Sequence, residues 1–94
     1  MIYDLIFTKQ SKKEWKKLGH TVISQFKKKL KERLINPKVQ KDKLSGYNNI
    51  YKIKLRSSGF KLVYEVIDDK IIVLVLTVGK RENDKVYKDL EDRI

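Results

Sequence analysis

The chain has 94 residues, within the usual size of one domain and too short for a second core, so residues 1–94 read as a single domain. It has no cysteine and one histidine, His20. This excludes thiol catalysis, thiolate metal ligation, a disulfide staple and any site built on two imidazoles, and neither a metal nor a cofactor is expected.

A formal net charge of +11 on so small a surface attracts anionic polymers and speeds their encounter, which makes nucleic acid the first candidate partner. The charge is uneven. Lys9 to Arg33 holds ten basic residues against Glu14 and Glu32, whereas Glu82 to Ile94 is mildly acidic. The opening stretch MIYDLIFTKQ has no basic region before its apolar residues, and the longest apolar run, Ile71 to Leu76, is far too short to span a bilayer. The expectation is a cytoplasmic protein without membrane contact.

Tyr3, Leu5 and Phe7 alternate with polar residues as an opening strand, with Ile2 and Ile6 expected to bury its second face as well. Ser11 to Leu18 follows as a helix, with Gly19 suited to end it in a left-handed conformation. Thr21 is a candidate cap for a second helix whose stripe is Val22, Phe26, Leu30 and Leu34, and Asn36-Pro37 terminates it. Trp15 and Phe26 are most simply core residues of this helical hairpin.

Lys38 to Asn49 lacks a period and reads as a loop anchored by Leu44 and Tyr47. Three strands follow, Ile50 to Arg56, Phe60 to Ile67 and Ile71 to Val78, separated by Ser57-Ser58-Gly59 and Asp68-Asp69. The third, apolar at nearly every position, should lie inside the sheet with both faces covered and with the opening strand beside it. From Glu82, the apolar residues Val86, Leu90 and Ile94 recur every four positions as a final helix. The order β-α-α-β-β-β-α predicts an α+β fold. In it a helical hairpin packs on a mainly antiparallel four-stranded sheet, with a short C-terminal helix.

Residues two apart in a strand share a face and lie roughly 6.7 Å apart, so Lys52, Lys54 and Arg56 form one row behind the apolar row Tyr51, Ile53 and Leu55. A turn centred on Ser58-Gly59 would set Arg56 opposite Lys61, Lys54 opposite Val63 and Lys52 opposite Glu65. Arg81 and Tyr87 would then reach the rim of this surface. A solvated sheet face often carries lysine. Here, however, like charges stand side by side with little acidic relief, and that favours a phosphate-binding surface.

The stretch YKIKLRSSGFKLVYEVIDDKIIVLVLTVGKRENDKVY, Tyr51 to Tyr87, together with KEWKKLG at Lys13 to Gly19 and KDKLSG at Lys41 to Gly46, closely resembles the RelE toxins. The resemblance covers essentially the whole chain. Its pairing of KIKLRSSG with VGKRE separates RelE-like ribonucleases from the ParE-like gyrase inhibitors that share the fold. It implies the toxin of a toxin–antitoxin system. Such a toxin cuts messenger RNA in the A site of the 70S ribosome, is inhibited by a cognate RelB-like antitoxin, and binds operator DNA only together with that antitoxin. By matching positions, Lys52, Lys54, Arg81 and Tyr87 carry over as the catalytic group, with Arg56 and Lys61 as phosphate contacts. The family pattern has arginine at position 61, so Lys61 keeps the charge and loses the planar fork.

Metal-free RNA cleavage uses the ribose 2′-hydroxyl as nucleophile. The protein must help deprotonate it, stabilise the charged phosphorane and protonate the leaving oxygen. Like charges on both sides of Lys54 disfavour its protonated form and suit it to act as base, with Lys52 sharing the role. Arg81 is a natural clamp for the phosphorane, and Tyr87 either stacks on a base or moves a proton, since it lies off the buried stripe of its helix. His20, at the turn between the helices, is given no role.

Lys27, Lys28, Lys29 and Lys31 read either as an ordinary solvated face or as contacts to ribosomal RNA remote from the catalytic cluster. The alternative function, from another class, is a non-catalytic regulator that binds nucleic acid or the ribosome. An acidic antitoxin segment that displaces Glu82 to Ile94 would carry Tyr87 away from the cationic face.

Overall fold

The computed structural model describes residues 2–80. Thr8 organises its first turn of chain. The strand β1, Asp4–Phe7, runs directly into the helix α1, Lys9–Lys16, and Thr8 caps that helix by accepting from the Ser11 amide at 3.1 Å. The helix therefore starts two residues before the expected Ser11. Ser11 itself is buried inside it and donates its hydroxyl to the Val75 carbonyl at 2.8 Å.

Leu5 and Phe7 turn inward from β1, but Ile2 and Ile6 are 68% and 44% exposed, so the outer face of this edge strand is not buried as expected. Gly19 also departs from expectation. Its φ is −67° and its ψ 157°, an extended conformation, and it stands as the N-cap of the helix α2, His20–Ile35. Its carbonyl accepts from the Ile23 amide, which leaves Thr21 inside the first turn with no capping role. The stripe of α2 buries Phe26 and Leu30, and Asn36-Pro37 ends the helix. Trp15 bridges the hairpin to the sheet, with ring centroids 5.2 Å from Phe7 and 6.0 Å from Phe26.

The strands β2, Ile50–Leu55, β3, Phe60–Ile67, and β4, Ile72–Lys80, form an antiparallel meander, and β1 adds to β4 in parallel to give the order β1-β4-β3-β2. β4 is interior, as its apolar run requires. On one face Tyr51, Ile53, Leu62, Tyr64, Val73 and Val75 join Phe26 and Leu30 in the main core. On the other, Ile50, Val63 and Leu76 pack with Leu44, so the segment before β2 covers part of the second face. Where β1 ends, α1 takes over the edge of β4: the Glu14 carboxylate accepts from the Val78 amide at 3.2 Å.

The β2–β3 turn holds four residues, Arg56 to Gly59. Gly59 has φ +75° and donates its amide to the Leu55 carbonyl at 2.9 Å. That loop moves the register by two residues from the expected one. Leu55 faces Phe60, Lys54 faces Lys61, Lys52 faces Val63 and Glu65 faces Ile50. A shift of two preserves which face each side chain occupies, so the cationic row survives while its cross-strand neighbours change. No helix among the described residues is long and apolar enough to cross a membrane. The predicted helix from Glu82 lies outside the described residues.

Candidate RNA-binding and cleavage site

β2 is the outer strand of the sheet, and its alternation is sharp: Tyr51, Ile53 and Leu55 are buried, while Lys52 and Lys54 are half-buried and Arg56 is exposed. The buried row fixes the strand against the core, and the cationic row is held out by the same pleat. Lys54 directly faces Lys61, which is only 3% exposed. Lys61 thus stands behind the row rather than on its surface. Glu65 lies opposite Ile50 and offers Lys52 only diagonal relief.

Two adjoining clefts open along this strand. One, of about 330 Å³, is lined by Arg33, Lys41, Lys52, Lys54 and Arg56, and by Lys29 of α2. The other, of about 500 Å³, lies between Lys54 and Arg56 on one side and Gln25, Lys28, Lys29 and Glu32 on the other. Lys28 and Lys29 are therefore not remote from the cationic row. Lys27 and Lys31 are exposed and line neither cleft. His20 is exposed at the start of α2 and lines neither cleft. Arg81 and Tyr87 lie outside the described residues.

The sheet side of the first cleft is braced by Arg33. Its Nη1 donates to the Lys52 carbonyl at 3.2 Å and to the Tyr64 hydroxyl at 2.9 Å, and its Nη2 pairs with Asp42. The guanidinium also lies 5.9 Å from the centre of the Tyr64 ring, and Tyr64 donates to the Pro37 carbonyl at 2.7 Å. Burial raises the Tyr64 phenol above its ordinary range, with the Arg33 hydrogen bond opposing.

The residues 5–85 match the family model described as the ParE toxin of type II toxin-antitoxin system, parDE. The chain is 53% identical over 94 residues to the mRNA interferase toxin RelE of Escherichia coli (strain K12), covering 100% of this chain and 99% of that protein. The chain belongs to the RelE/ParE toxin family. Its fold superposes on a mutant of E. coli toxin RelE in the free state with a TM-score of 0.92 at 52% identity, over 100% of this chain and 99% of that one. A complex of mutant E. coli RelE with an antitoxin RelBc peptide matches with a TM-score of 0.84 at 52% identity, again over 100% and 99%.

Within this RelE/ParE-family chain, Arg33 and Lys41 line the clefts without having been singled out in the sequence. Lys80 closes β4 opposite Phe60, with its Nζ 5.7 Å from the centre of that ring. Arg33 could have been suspected as the one arginine in a helix otherwise basic through lysine, since a planar fork suits a fixed, partly buried set of acceptors. Its partner Asp42 sits in a segment without periodicity, which gives no such signal.

Proposed function

We propose that this chain is a ribosome-dependent mRNA endonuclease that cleaves message in the ribosomal A site and is held inactive by a cognate RelB-like antitoxin. The observation that carries the reading is the row of Lys52 and Lys54 on an edge strand, opening onto clefts walled by further cations. Full-length similarity to an mRNA interferase supports the same chemistry.

In this mechanism Lys54 takes the proton of the 2′-hydroxyl as that oxygen attacks the adjacent phosphorus. Lys54 stands directly across from Lys61 and two residues from Lys52 on the same face of the strand, within reach of a phosphate held by the row. The bond from phosphorus to the 5′-oxygen breaks and that oxygen takes up a proton from a protein acid or water, leaving a 2′,3′-cyclic phosphate on one fragment and a 5′-hydroxyl on the other. Lys52 and Arg56 stabilise the phosphorane through charge. Arg81 as clamp and Tyr87 as stacking or proton-transfer group rest on the family resemblance.

Lys27 and Lys31 face away from the clefts and suit contacts to ribosomal RNA backbone. The antitoxin neutralises the cationic surface and joins the toxin in operator binding and autoregulation, in the cytoplasm where ribosomes are. Incubation of the pure protein with programmed ribosomes, followed by mapping of message ends, tests the reading. New 5′-hydroxyl ends within the A-site codon are expected. Blocked translation with intact message would sink the nuclease and leave a binding regulator.

A further inference from the structure

On α2, the residues Gln25, Lys28, Lys29 and Glu32 follow the spacing i, i+3, i+4, i+7, so they form one stripe down one face of the helix. That stripe is the wall of the 500 Å³ cleft opposite Lys54 and Arg56. Lys27 and Lys31 belong to a different stripe. The four neighbouring lysines, alike in sequence, are thus sorted by helical geometry into two that face β2 and two that do not.

Lys28 and Lys29 line this cleft together with Lys54 and Arg56, and among the described residues the carboxylates lining the two clefts are Glu32 and Asp42, of which Asp42 is engaged by Arg33. Cations gathered on a concave surface raise the local anion concentration. The two clefts share Lys29, Lys54 and Arg56, so they form one groove running along β2 from Lys41 to Ser57. From Lys52 to Arg56 alone this covers about 13 Å of strand. Beside the aliphatic Ile53 and Leu55 and the carboxylates of Glu32 and Asp42, the lining supplies amines, guanidinium groups, an amide and a hydroxyl, and no aromatic face on which a base would stack. Such a surface holds the sugar–phosphate backbone without reading sequence.

We propose that this groove, between α2 and the outer edge of β2, is a track for the backbone of single-stranded RNA, with Lys28 and Lys29 as its helix-side phosphate contacts. The proposal rests on the RNA-cleavage reading above and extends it. The strand that presents its scissile phosphate to Lys52 and Lys54 continues past Arg56 under α2. Lys28 and Lys29 therefore belong to the message side of the toxin and not to its ribosomal RNA side.

A short 2′-O-methyl oligoribonucleotide, whose nucleophile is blocked, allows binding to be measured without cleavage. Fluorescence anisotropy over a salt series compares the wild type, Lys28→Ala/Lys29→Ala, and Lys12→Ala/Lys16→Ala, the last an equal charge loss on exposed positions of α1. Single-strand binding loses about 0.7 of slope in log K against log salt per phosphate contact, so the groove pair is expected to lower the slope by about 1.4 and the α1 pair to leave it unchanged. Equal losses from both pairs would overturn the track in favour of a diffuse field, as would no loss from Lys28→Ala/Lys29→Ala. An RNA duplex binding with the same dependence on Lys28 and Lys29 would also overturn it. Melting curves check that both variants fold, and Lys28→Gln/Lys29→Gln replaces the alanine pair if that pair melts early. Cleavage on ribosomes is scored separately. A slope difference with intact message sinks the nuclease and leaves the groove, and cleaved message without a slope difference sinks the groove alone.

Discussion

Arg33 of α2 donates from Nη1 to the backbone carbonyl of Lys52 at 3.2 Å, tying the helix to the outer edge of the strand that carries the cationic row. The same guanidinium satisfies Tyr64 and Asp42, so one side chain fixes helix, strand and the loop between them. Arg33→Leu leaves these acceptors without their donor in a half-buried site, and a loss of about 2 kcal/mol is expected in urea unfolding. Arg33→Lys should recover only part of it, because an ammonium cannot reproduce the fork. Full recovery by lysine would show that charge alone is what the site needs.

Gly59 and Gly19 should respond in opposite directions. Gly59 sits at φ +75° with open space where a Cβ would go, so Gly59→Ala costs about 1 kcal/mol from backbone conformation alone. Gly19 is extended, equally open, and caps α2 without a side-chain hydrogen bond. Gly19→Ser therefore adds a cap and restricts the unfolded chain, for a gain of about 1 kcal/mol. Thermal melts of the pair decide the point. A destabilised Gly19→Ser would restore the left-handed reading of that position.

Asp68 gathers the start of the chain and the loop after α2 onto the β3–β4 turn. It accepts from the Tyr3 hydroxyl at 2.9 Å and pairs with Lys38, and the hydrogen bonds from Lys38 and Tyr3 hold its carboxyl below the ordinary value of 3.8. A carboxylate whose folded pKa is depressed contributes stability that is present above the unfolded value and lost as pH falls through the folded one. Stability should therefore decline below about pH 4 in part through Asp68. Asp68→Asn is expected to flatten that part of the acid limb. The cluster is exposed, so the difference should be small and should shrink with added salt. An unchanged acid limb at low salt would remove Asp68 from the account.

How far the sequence could be read follows from the kind of signal each feature leaves. β4 was legible as interior because both of its faces are apolar, and Phe26 and Leu30 because a four-residue stripe needs no partner to be recognised. The β2–β3 register was not, since Ser57-Ser58-Gly59 is compatible with loops of different length. The error of two residues kept Lys52 and Lys54 on their face yet missed that Lys54 meets Lys61. Gly19 misled because a glycine between helices suits either a left-handed stop or an extended cap. Lys28 and Lys29 could have been separated from Lys27 and Lys31 by period alone, but the strand they face is set by tertiary packing. Arg33 and Asp42 meet only because the irregular segment before β2 folds back along its edge.

The facing pair Lys54 and Lys61 separates chemistry from support. Lys54 is half-buried at the cleft, so Lys54→Ala is expected to keep stability within about 0.5 kcal/mol and to slow single-turnover cleavage on ribosomes by about 100-fold or more. Parallel losses of stability and rate would make it structural. Lys61 is nearly enclosed, and under the proposed function its contribution to the phosphate is its charge. Lys61→Arg keeps that charge and adds a planar fork at the position where the family pattern has arginine. The larger head must fit an enclosed site, with an expected stability change of no more than about 1 kcal/mol. Cleavage should be equal to or faster than that of the wild type. A large fall in rate at unchanged stability would mean that the compact ammonium, and not positive charge as such, is what Lys61 supplies beside Lys54.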